Sequence, residues 1–384
     1  MSRVLVAMSG GVDSSVAAYL LQQAGHDCVG ATMMLARNST CCRMEDAIDA
    51  KAVCLELGIP HYTFDLTREF DEAVVGPFCR AYDDGLTPNP CVQCNRHLKF
   101  GLLWRRAQAL GCDAIATGHY ARVGRDACGR PTLMRGLFDR KDQSYVLWPV
   151  SPEVLSHLLL PLGDFASKDE VRAIAERQGF SCARKHDSQD ICFVPDGDYA
   201  GFVERHRGHA SEPGHIVDAD GRVLGWHHGI ERYTIGQRKG LGIACGRPMY
   251  VVEKDASTNT VRVGDDRELF SATFGAVDAV WPSGAVDGPV ACDAVVCYHG
   301  RRHPAHVTRT GDREFRVDCE RPVRAIAPGQ SVVCYDGDRV VCGGVIAAGV
   351  PDAPVPDAAA GREATSFSAA RGQAATDHSD DGGM

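Results

Sequence analysis

The sequence predicts an α/β protein in three parts: an N-terminal domain with a doubly wound parallel sheet, a small β-rich middle domain and a C-terminal β-barrel. In the N-terminal half, short apolar runs alternate with amphipathic helical patterns, which is typical of a parallel sheet covered on both faces. Beyond about residue 205 the pattern changes to short strands and glycine-rich turns. From Phe270 to Val350 regular turn signals separate alternating strands, which favours a small barrel or sandwich.

The N-terminal elements follow from apolar periodicity and from helix-end signals. The Ser167 and Glu170 pair forms a capping-box pattern, and glycines close three of the helices. The predicted elements are strand Arg3–Met8, helix Ser14–Ala24, strand Cys28–Met34, helix Glu45–Leu57, strands His61–Leu66 and Ala114–Gly118, and a helix from Ser167 to Gly179.

Length and composition predict several domains and a polar tail. A chain of 384 residues exceeds one compact domain, and we expect boundaries at 1–204, 205–267, 268–350 and 351–384. The last segment carries six acidic and two basic residues and almost no large apolar side chains, so it is predicted to be a disordered acidic tail. It supplies −4 of the net charge of −9, and a local basic face on the body is compatible with the remainder.

The sequence also predicts a cytoplasmic protein. Its first residues lack the pattern of a secretion signal, and no apolar stretch approaches the roughly 20 residues that cross a bilayer. The 17 cysteines are therefore expected to be mostly reduced thiols. Cys54, Cys334 and Cys342 fit core positions, and no role is assigned to Cys41 and Cys42.

A phosphate-binding loop follows the first strand directly. In Ser9-Gly10-Gly11-Val12-Asp13-Ser14-Ser15, glycines allow successive amide groups to face one anion, and the next helix begins with its partial positive charge there. Asp13 can hold Mg²⁺. A Gly-Gly turn alone is common, and the Lys of a Walker A loop is missing. The whole string resembles the pyrophosphate loop of the ATP pyrophosphatase superfamily.

Two cysteine segments carry candidate nucleophiles. The run TPNPCVQCNR reads as a rigid loop leading into a helix near His97, where the helix end and Arg96 would favour the Cys94 thiolate. Cys192, in the polar run HDSQDICF, does not fit a core position. Cys91 and Cys94 are also compatible with a structural zinc or redox pair, although a second pair at zinc-finger spacing is missing.

Six motifs together resemble the bacterial tRNA-specific 2-thiouridylase family over residues 3 to 350: the phosphate loop, TPNPCVQCN, ATGHYAR, KDQSYVLW, DSQDICF and YTIGQRKGLGI. The resemblance implies an adenine nucleotide α-hydrolase-like N-terminal domain. It also implies ATP and Mg²⁺ as cofactors, and as partners tRNAs of the Glu, Gln and Lys types and a cysteine desulfurase or sulfur-relay protein.

The resemblance also implies site residues. Cys192 would carry a persulfide, Cys94 would attack it, and Cys91 stands where the family often has an acidic residue, so it is at most an assisting thiol. The nucleotide would contact Ala7, Met8, Ser9, Gly10, Gly11, Val12, Asp13, Ser14, Met33 and Gly118. The tRNA would contact Asn89, Pro90, Cys91, Lys141, Asp142, Gln143 and, on a looser match, Tyr298 and His299.

The implied reaction is adenylation of the uridine 2-carbonyl oxygen followed by sulfur transfer. Three alternatives stay open. Cys91, Cys94 and Cys192 could ligate an iron–sulfur cluster that delivers sulfur. The enzyme could be an amide-forming ATP pyrophosphatase, or the chain could be a metal-binding RNA adaptor without catalysis. Basic side chains at Lys99, Arg105, Arg106, Arg232, Arg238 and Lys239 could contact tRNA phosphates.

Overall fold

The structure is a computed structural model and describes residues 1–36, 44–185, 191–286 and 288–348. Cys41, Cys42 and the predicted acidic tail lie outside the described residues. The proposed domain boundaries stay a prediction. Within the described part, no helix has both the length and the apolar character needed to cross a membrane.

The N-terminal half alternates strands and helices, as predicted. Its strands are β1 (Arg3–Ala7), β2 (Asp27–Met34), β3 (His61–Asp65), β4 (Ala114–Ala116), β5 (Ala121–Arg125), β6 (Pro131–Arg135) and β7 (Leu158–Leu159). Its helices are α1 (Val12–Gln23), α2 (Met44–Glu56), α3 (Thr67–Phe70), α4 (Gly76–Asp83), α5 (Pro90–Gln93), α6 (Leu103–Ala109), α7 (Ser144–Leu147), α8 (Pro152–Leu155), α9 (Lys168–Arg177) and α10 (Tyr199–Arg207). Two π-helical segments, Asp71–Val75 and Cys94–Leu102, join α3 to α4 and α5 to α6.

Five of these strands form a parallel sheet in the order β3-β2-β1-β4-β7. Along β1, Leu5 faces one apolar layer while Val4 and Val6 face the other. This alternation buries the sheet on both sides and confirms the doubly wound prediction. The chain changes direction across the sheet at β1, and ligands of such folds bind beyond the carboxyl ends of the strands at that point.

The rest of the chain is β-rich, which confirms the predicted middle and barrel parts. The middle sheet contains β8 (Gly214–Val217), β9 (Val223–His227), β10 (Tyr250–Asp255) and β11 (Thr260–Gly264) in the order β10-β11-β8-β9. The barrel contains β12 (Phe270–Val280), β13 (Val290–Val295), β14 (His303–Gly311), β15 (Glu314–Arg324), β16 (Ser331–Asp336) and β17 (Arg339–Ile346). Pairing of β12 with both β15 and β17 closes this sheet.

Two features differ from the sequence prediction. The helix expected near His97 begins at Pro90, because the Asn89 side chain accepts the Cys91 amide and a proline fits the first helical position. Cys91 and Cys94 therefore lie within the first turns of a helix, not in a loop before it. The hairpin of β5 and β6 was not predicted, and it joins the barrel sheet through the pairing of Met134 with Arg339.

Candidate active site

The phosphate loop is shaped by its own serines. The Ser14 hydroxyl donates to the Gly11 carbonyl at 3.2 Å and accepts the Ser9 amide at 3.1 Å. Ser15 donates to the same Gly11 carbonyl at 2.9 Å. Gly10 has a φ of +68°, and its carbonyl accepts a hydrogen bond from Lys185 at 3.2 Å. These hydrogen bonds thus fix the conformation of the loop between β1 and α1.

Asp13 is shared by two donors from distant parts of the chain. The Tyr120 hydroxyl donates to its Oδ1 atom at 2.8 Å, and the Lys168 ammonium donates to the same atom. Lys168 is the first residue of α9, where Ser167 caps the helix as predicted. The sequence alone gave no sign of these partners, because they lie 107 and 155 residues from Asp13.

The thiol helix, comprising α5, the π-helical segment and α6, carries two of the candidate cysteines. Cys91 is exposed and Cys94 is buried, so one side chain reaches solvent more readily than the other. The π-helical segment begins at Cys94 itself. Such widened turns are frequent at functional sites because they re-aim side chains that an α-helix would direct elsewhere.

One cavity of about 320 Å³ gathers the phosphate loop and all three candidate cysteines. It opens beyond the carboxyl ends of β1 and β4, where the strand order predicts a ligand site. Its lining residues are Ala7, Met8, Ser9, Asp13, Ser14, Ala31, Met33, Leu35, Phe70, Val74, Pro90, Cys91, Cys94, Lys99, Thr117, Gly118, His119, Gln143, Ile191, Cys192 and Phe193.

Most of the predicted nucleotide residues line this cavity, but Gly10, Gly11 and Val12 are not among its lining residues. Val12 is buried as the first residue of α1. Gly118 lies so close to the phosphate loop that a Cβ atom there would come within 2.7 Å of the Asp13 backbone. A glycine is therefore required for the two loops to meet.

Sequence reasoning missed the polar group formed by Lys99, Thr117 and His119. Thr117 Oγ1 lies 2.7 Å from His119 Nδ1, and Lys99 Nζ lies 3.5 Å from its Nε2. Burial, and secondarily the nearby Lys99 charge, hold the pKa of His119 well below its usual value. The imidazole is thus neutral at physiological pH, and it can donate or accept hydrogen bonds in the cavity without adding charge. The TGHY motif was the available signal for this histidine.

The predicted tRNA residues lie at two cavities and in the chain beside them. Pro90, Cys91 and Gln143 line the main cavity, and Asn89 caps the helix beside it. Lys141 ends a short 3₁₀ turn, Asp139–Lys141, that precedes Asp142. Asp142, Tyr298 and His299 line a second cavity of about 390 Å³. Its other lining residues are Arg135, Asp139, Arg140, Tyr145, Val295, Gly300, Arg302 and Tyr335.

Tyr298 lines the second cavity and interacts with neighbouring aromatic rings. Its ring lies 5.8 Å from that of Tyr145 and 3.9 Å from that of His299. Burial raises the pKa of Tyr298, and the neighbouring Cys91 and Asp142 raise it further. The phenol is therefore neutral, and it is close enough to Cys91 to interact with it electrostatically.

Two charged residues have structural partners that the sequence did not reveal. Asp142 is buried and accepts hydrogen bonds from Arg135 at 2.8 Å and from the Gly136 amide at 3.0 Å. Arg96 forms an ion pair with Asp278 of β12 and lies over the Trp148 ring at 5.0 Å. Asp278 also pairs with Arg313, so the two arginines share one carboxylate. That Arg96 supplies positive charge to Cys94 stays a prediction.

The cofactor sites differ in how well the residues fit. Asp13 is the one carboxylate among the described lining residues, and a carboxylate together with phosphate oxygens is a ligand set that Mg²⁺ accepts. The three cysteines share a cavity. However, within the described ranges no group of three His, Cys, Asp or Glu side chains has a spacing that would hold a metal ion. As placed, the cysteines do not fit a cluster.

Three family models match consecutive parts of the chain. A tRNA methyl transferase HUP domain matches residues 2–196, a tRNA methyl transferase PRC-barrel domain matches residues 200–265, and an aminomethyltransferase beta-barrel domain matches residues 271–346. They follow the order of the parallel sheet, the middle sheet and the barrel.

Curated relatives match over nearly their whole length. The tRNA-specific 2-thiouridylase MnmA of Chloroflexus aggregans is 48% identical over 358 residues, which cover 90% of this chain and 99% of that protein. The protein of the same name from Clostridioides difficile is 44% identical over 353 residues, with 90% and 98% covered. A solved 4-thiouridine synthetase–RNA complex with bound ATP is 18% identical, with a TM-score of 0.36 over 50% of this chain and 45% of that one.

Proposed function

Since this chain belongs to the family of tRNA-specific 2-thiouridylases, we propose that it is an ATP-dependent tRNA sulfurtransferase acting on the wobble uridine. The observation that carries the proposal is the shared cavity of the phosphate loop, Cys94 and Cys192. These segments are far apart in sequence, and a thiol next to a pyrophosphate loop suits activation followed by sulfur transfer.

The first step would activate the base. A uridine carbonyl is a poor electrophile because its oxygen is a poor leaving group. Attack of the uridine O2 on the α-phosphorus of ATP would release pyrophosphate and leave an adenylated base. The loop amides and the Ser9 hydroxyl would hold the phosphate oxygens as charge moves onto pyrophosphate, and the Ser14 hydroxyl would join them on releasing the Gly11 carbonyl. Mg²⁺, held by Asp13 and the phosphates, would supply further neutralising charge.

The second step would deliver sulfur. The outer sulfur of a Cys192 persulfide would attack the activated C2, and AMP would leave with the bonding electron pair. Attack of the Cys94 thiolate on the Cys192 sulfur would then free the thiocarbonyl and form a Cys94–Cys192 disulfide. A thiol reductant must supply two electrons to regenerate both thiols. We therefore infer a reducing, cytoplasmic setting for the enzyme.

The substrate and the donor are inferred from the family to which the chain belongs. We infer tRNAs of the Glu, Gln and Lys types as substrates, and a cysteine desulfurase or a sulfur-relay protein as the donor. The base must leave its stack to enter the cavity, as in other enzymes that react with a base. Asn89, Pro90, Cys91, Lys141, Gln143, Tyr298 and His299 are proposed to contact the tRNA. Asp142 is also proposed to contact the tRNA, while it keeps its hydrogen bonds from Arg135 and from the Gly136 amide.

The experiment is thiolation of unmodified tRNA with ATP, Mg²⁺ and either sulfide or a desulfurase. Wild type is compared with Cys94→Ala, Cys192→Ala and the matched control Cys128→Ala. Cys128 is an exposed thiol in the turn between β5 and β6, and it does not line the cavity. We expect 2-thiouridine and pyrophosphate from wild type and from the control. Both cavity variants should lose persulfide-dependent thiolation.

The same assay separates the alternatives. Normal thiolation by Cys192→Ala would rule out the persulfide route. Pyrophosphate release without tRNA would favour the alternative that the enzyme is an amide-forming ATP pyrophosphatase. Activity that requires anaerobic reconstitution with iron and sulfide would establish the cluster route. That result would also show that the three cysteines rearrange from their present positions.

A further inference from the structure

The segment Gly85–Pro88, here called the strap, connects α4 to the thiol helix. It runs directly into Asn89, the residue that caps this helix. Pro88 and Pro90 flank the cap and restrict the backbone there, because each proline ring fixes its own φ. The prolines therefore limit how far the chain between the strap and the thiol helix can bend.

The barrel holds one residue of the strap on both sides. The Thr87 amide donates to the Pro328 carbonyl at 2.9 Å, and the Gln330 side chain donates to the Thr87 carbonyl at 2.9 Å. Gly329, between them, has a φ of +89°, and a Cβ atom there would come within 2.8 Å of the Thr87 nitrogen. A side chain at position 329 would therefore collide with the strap backbone.

The middle sheet and α4 hold the preceding residue. Lys254 of β10 reaches between two carbonyl oxygens, at 2.9 Å from that of Tyr233 and at 3.5 Å from that of Leu86. The Leu86 amide donates to the Ala81 carbonyl in α4 at 2.8 Å. All four backbone polar groups of Leu86 and Thr87 are therefore bonded, and three of the four bonds come from the middle sheet or the barrel.

We propose that the strap is the connection through which the middle sheet and the barrel set the position of the thiol helix, with Lys254 and Gln330 as positioning residues. Neither side chain lines the main cavity, so their effect on the reaction passes through the strap. The β-rich half then does more than offer a surface for the substrate, because it fixes where Cys91 and Cys94 stand relative to the phosphate loop. The kinetic part of this inference depends on the proposed function.

The test uses Lys254→Met, Gln330→Met and the double variant in the full chain. Methionine keeps an unbranched stem of similar length and removes the donor. The first readout is alkylation of Cys91 by N-ethylmaleimide, followed by peptide mass spectrometry, with Cys128 of the same molecule as the internal reference. We expect the ratio of the two rates to change at least threefold in the double variant. The second readout is thiolation, for which kcat should fall at least fivefold while KM for ATP stays within twofold.

Two control variants separate positioning from lost stability. Val263→Ala shortens a fully buried side chain of the middle sheet that is paired with Val251 and not with Lys254. Arg262→Met removes a charge on the same strand that pairs with Glu253 and Glu268 instead. Both controls should keep the wild-type alkylation ratio, even where Val263→Ala lowers Tm as much as the strap variants do.

The possible results are decisive. An unchanged ratio and kcat in the double variant would overturn the inference, and so would an equal change in Val263→Ala at an equal Tm. If wild type does not thiolate tRNA, the proposed function fails, whereas the alkylation ratio still decides whether the strap positions the thiol helix.

Discussion

The Tyr120 hydroxyl donates a 2.8 Å hydrogen bond to the Asp13 carboxylate, which ties the segment after β4 to the phosphate loop after β1. The loops at the ends of two neighbouring parallel strands are thus joined by one direct contact. The same carboxylate accepts from Lys168. The orientation of Asp13 therefore depends on two residues outside its own loop.

Tyr120→Phe should weaken ATP binding about tenfold. Loss of a hydrogen bond to a charged group costs about 1.5–3 kcal/mol. Because Lys168 would still hold the Asp13 carboxylate, we expect a loss of about 1.5 kcal/mol, which is about tenfold in affinity. Titration calorimetry with ATP measures the effect. Tyr62→Phe, at an exposed position of β3, is the control and should bind as wild type does. Equal affinity of Tyr120→Phe and wild type would show that Lys168 alone orients Asp13.

Lys99→Met should weaken pyrophosphate binding tenfold or more. Among the described lining residues, Lys99 is the one lysine or arginine, and the charge of bound phosphates is worth a few kcal/mol to a nearby cation at an effective dielectric of about 20. The pKa of His119 should rise, since Lys99 contributes to lowering it, but burial should keep it below its usual value. Histidine NMR titration measures this second effect. Lys51→Met, at an exposed position of α2, is the control, and an unmoved His119 pKa would contradict the contact.

The sequence predicted the elements whose signals are local. The strand, glycine turn and helix around Asp13 and the capping pair Ser167 and Glu170 are encoded within a few neighbouring residues, and both were confirmed. The start of the thiol helix was misplaced because Pro88 and Pro90 look like loop residues. A proline is nevertheless compatible with the first turn of a helix.

Contacts between distant residues could not be predicted in the same way. Arg96 meets Asp278 across 182 positions, and Met134 pairs with Arg339 at the barrel edge. No local pattern encodes such partners, because they depend on how the barrel closes against the parallel sheet. The two halves of the site were recognised as motifs, whereas the contacts that Lys99, His119 and Lys168 make required the folded chain.

The ion pair of Arg96 and Asp278 should stabilise the contact between the thiol helix and the barrel. Both side chains are largely buried, at 16% and 29% exposed, and Arg96 also stacks on Trp148. A double-mutant cycle with Arg96→Met and Asp278→Asn should give a coupling energy of about 1–3 kcal/mol by urea unfolding. Asparagine suits the left-handed φ of +59° at position 278. Arg96→Lys should recover little stability, because lysine cannot reproduce the planar stacking. A coupling energy near zero would mean that the pair is solvated in solution.

Deprotonation of Lys254 should raise the free energy of unfolding as the pH rises from about 8 to 10.5. Burial lowers the pKa of this lysine to about 8 in the folded protein, from 10.5, while Glu231 opposes the shift. Between these values the unfolded chain binds more protons than the folded one, so the free energy of unfolding rises with pH. The full gain is about 3 to 4 kcal/mol, since each pH unit between the two pKa values contributes about 1.4 kcal/mol. Urea unfolding of wild type and Lys254→Met across this range measures it, because the variant lacks this contribution and cancels the titration of other groups. Parallel curves for the two proteins would show that the Lys254 ammonium stays solvated, and the contact with the strap would then be looser than the structure describes.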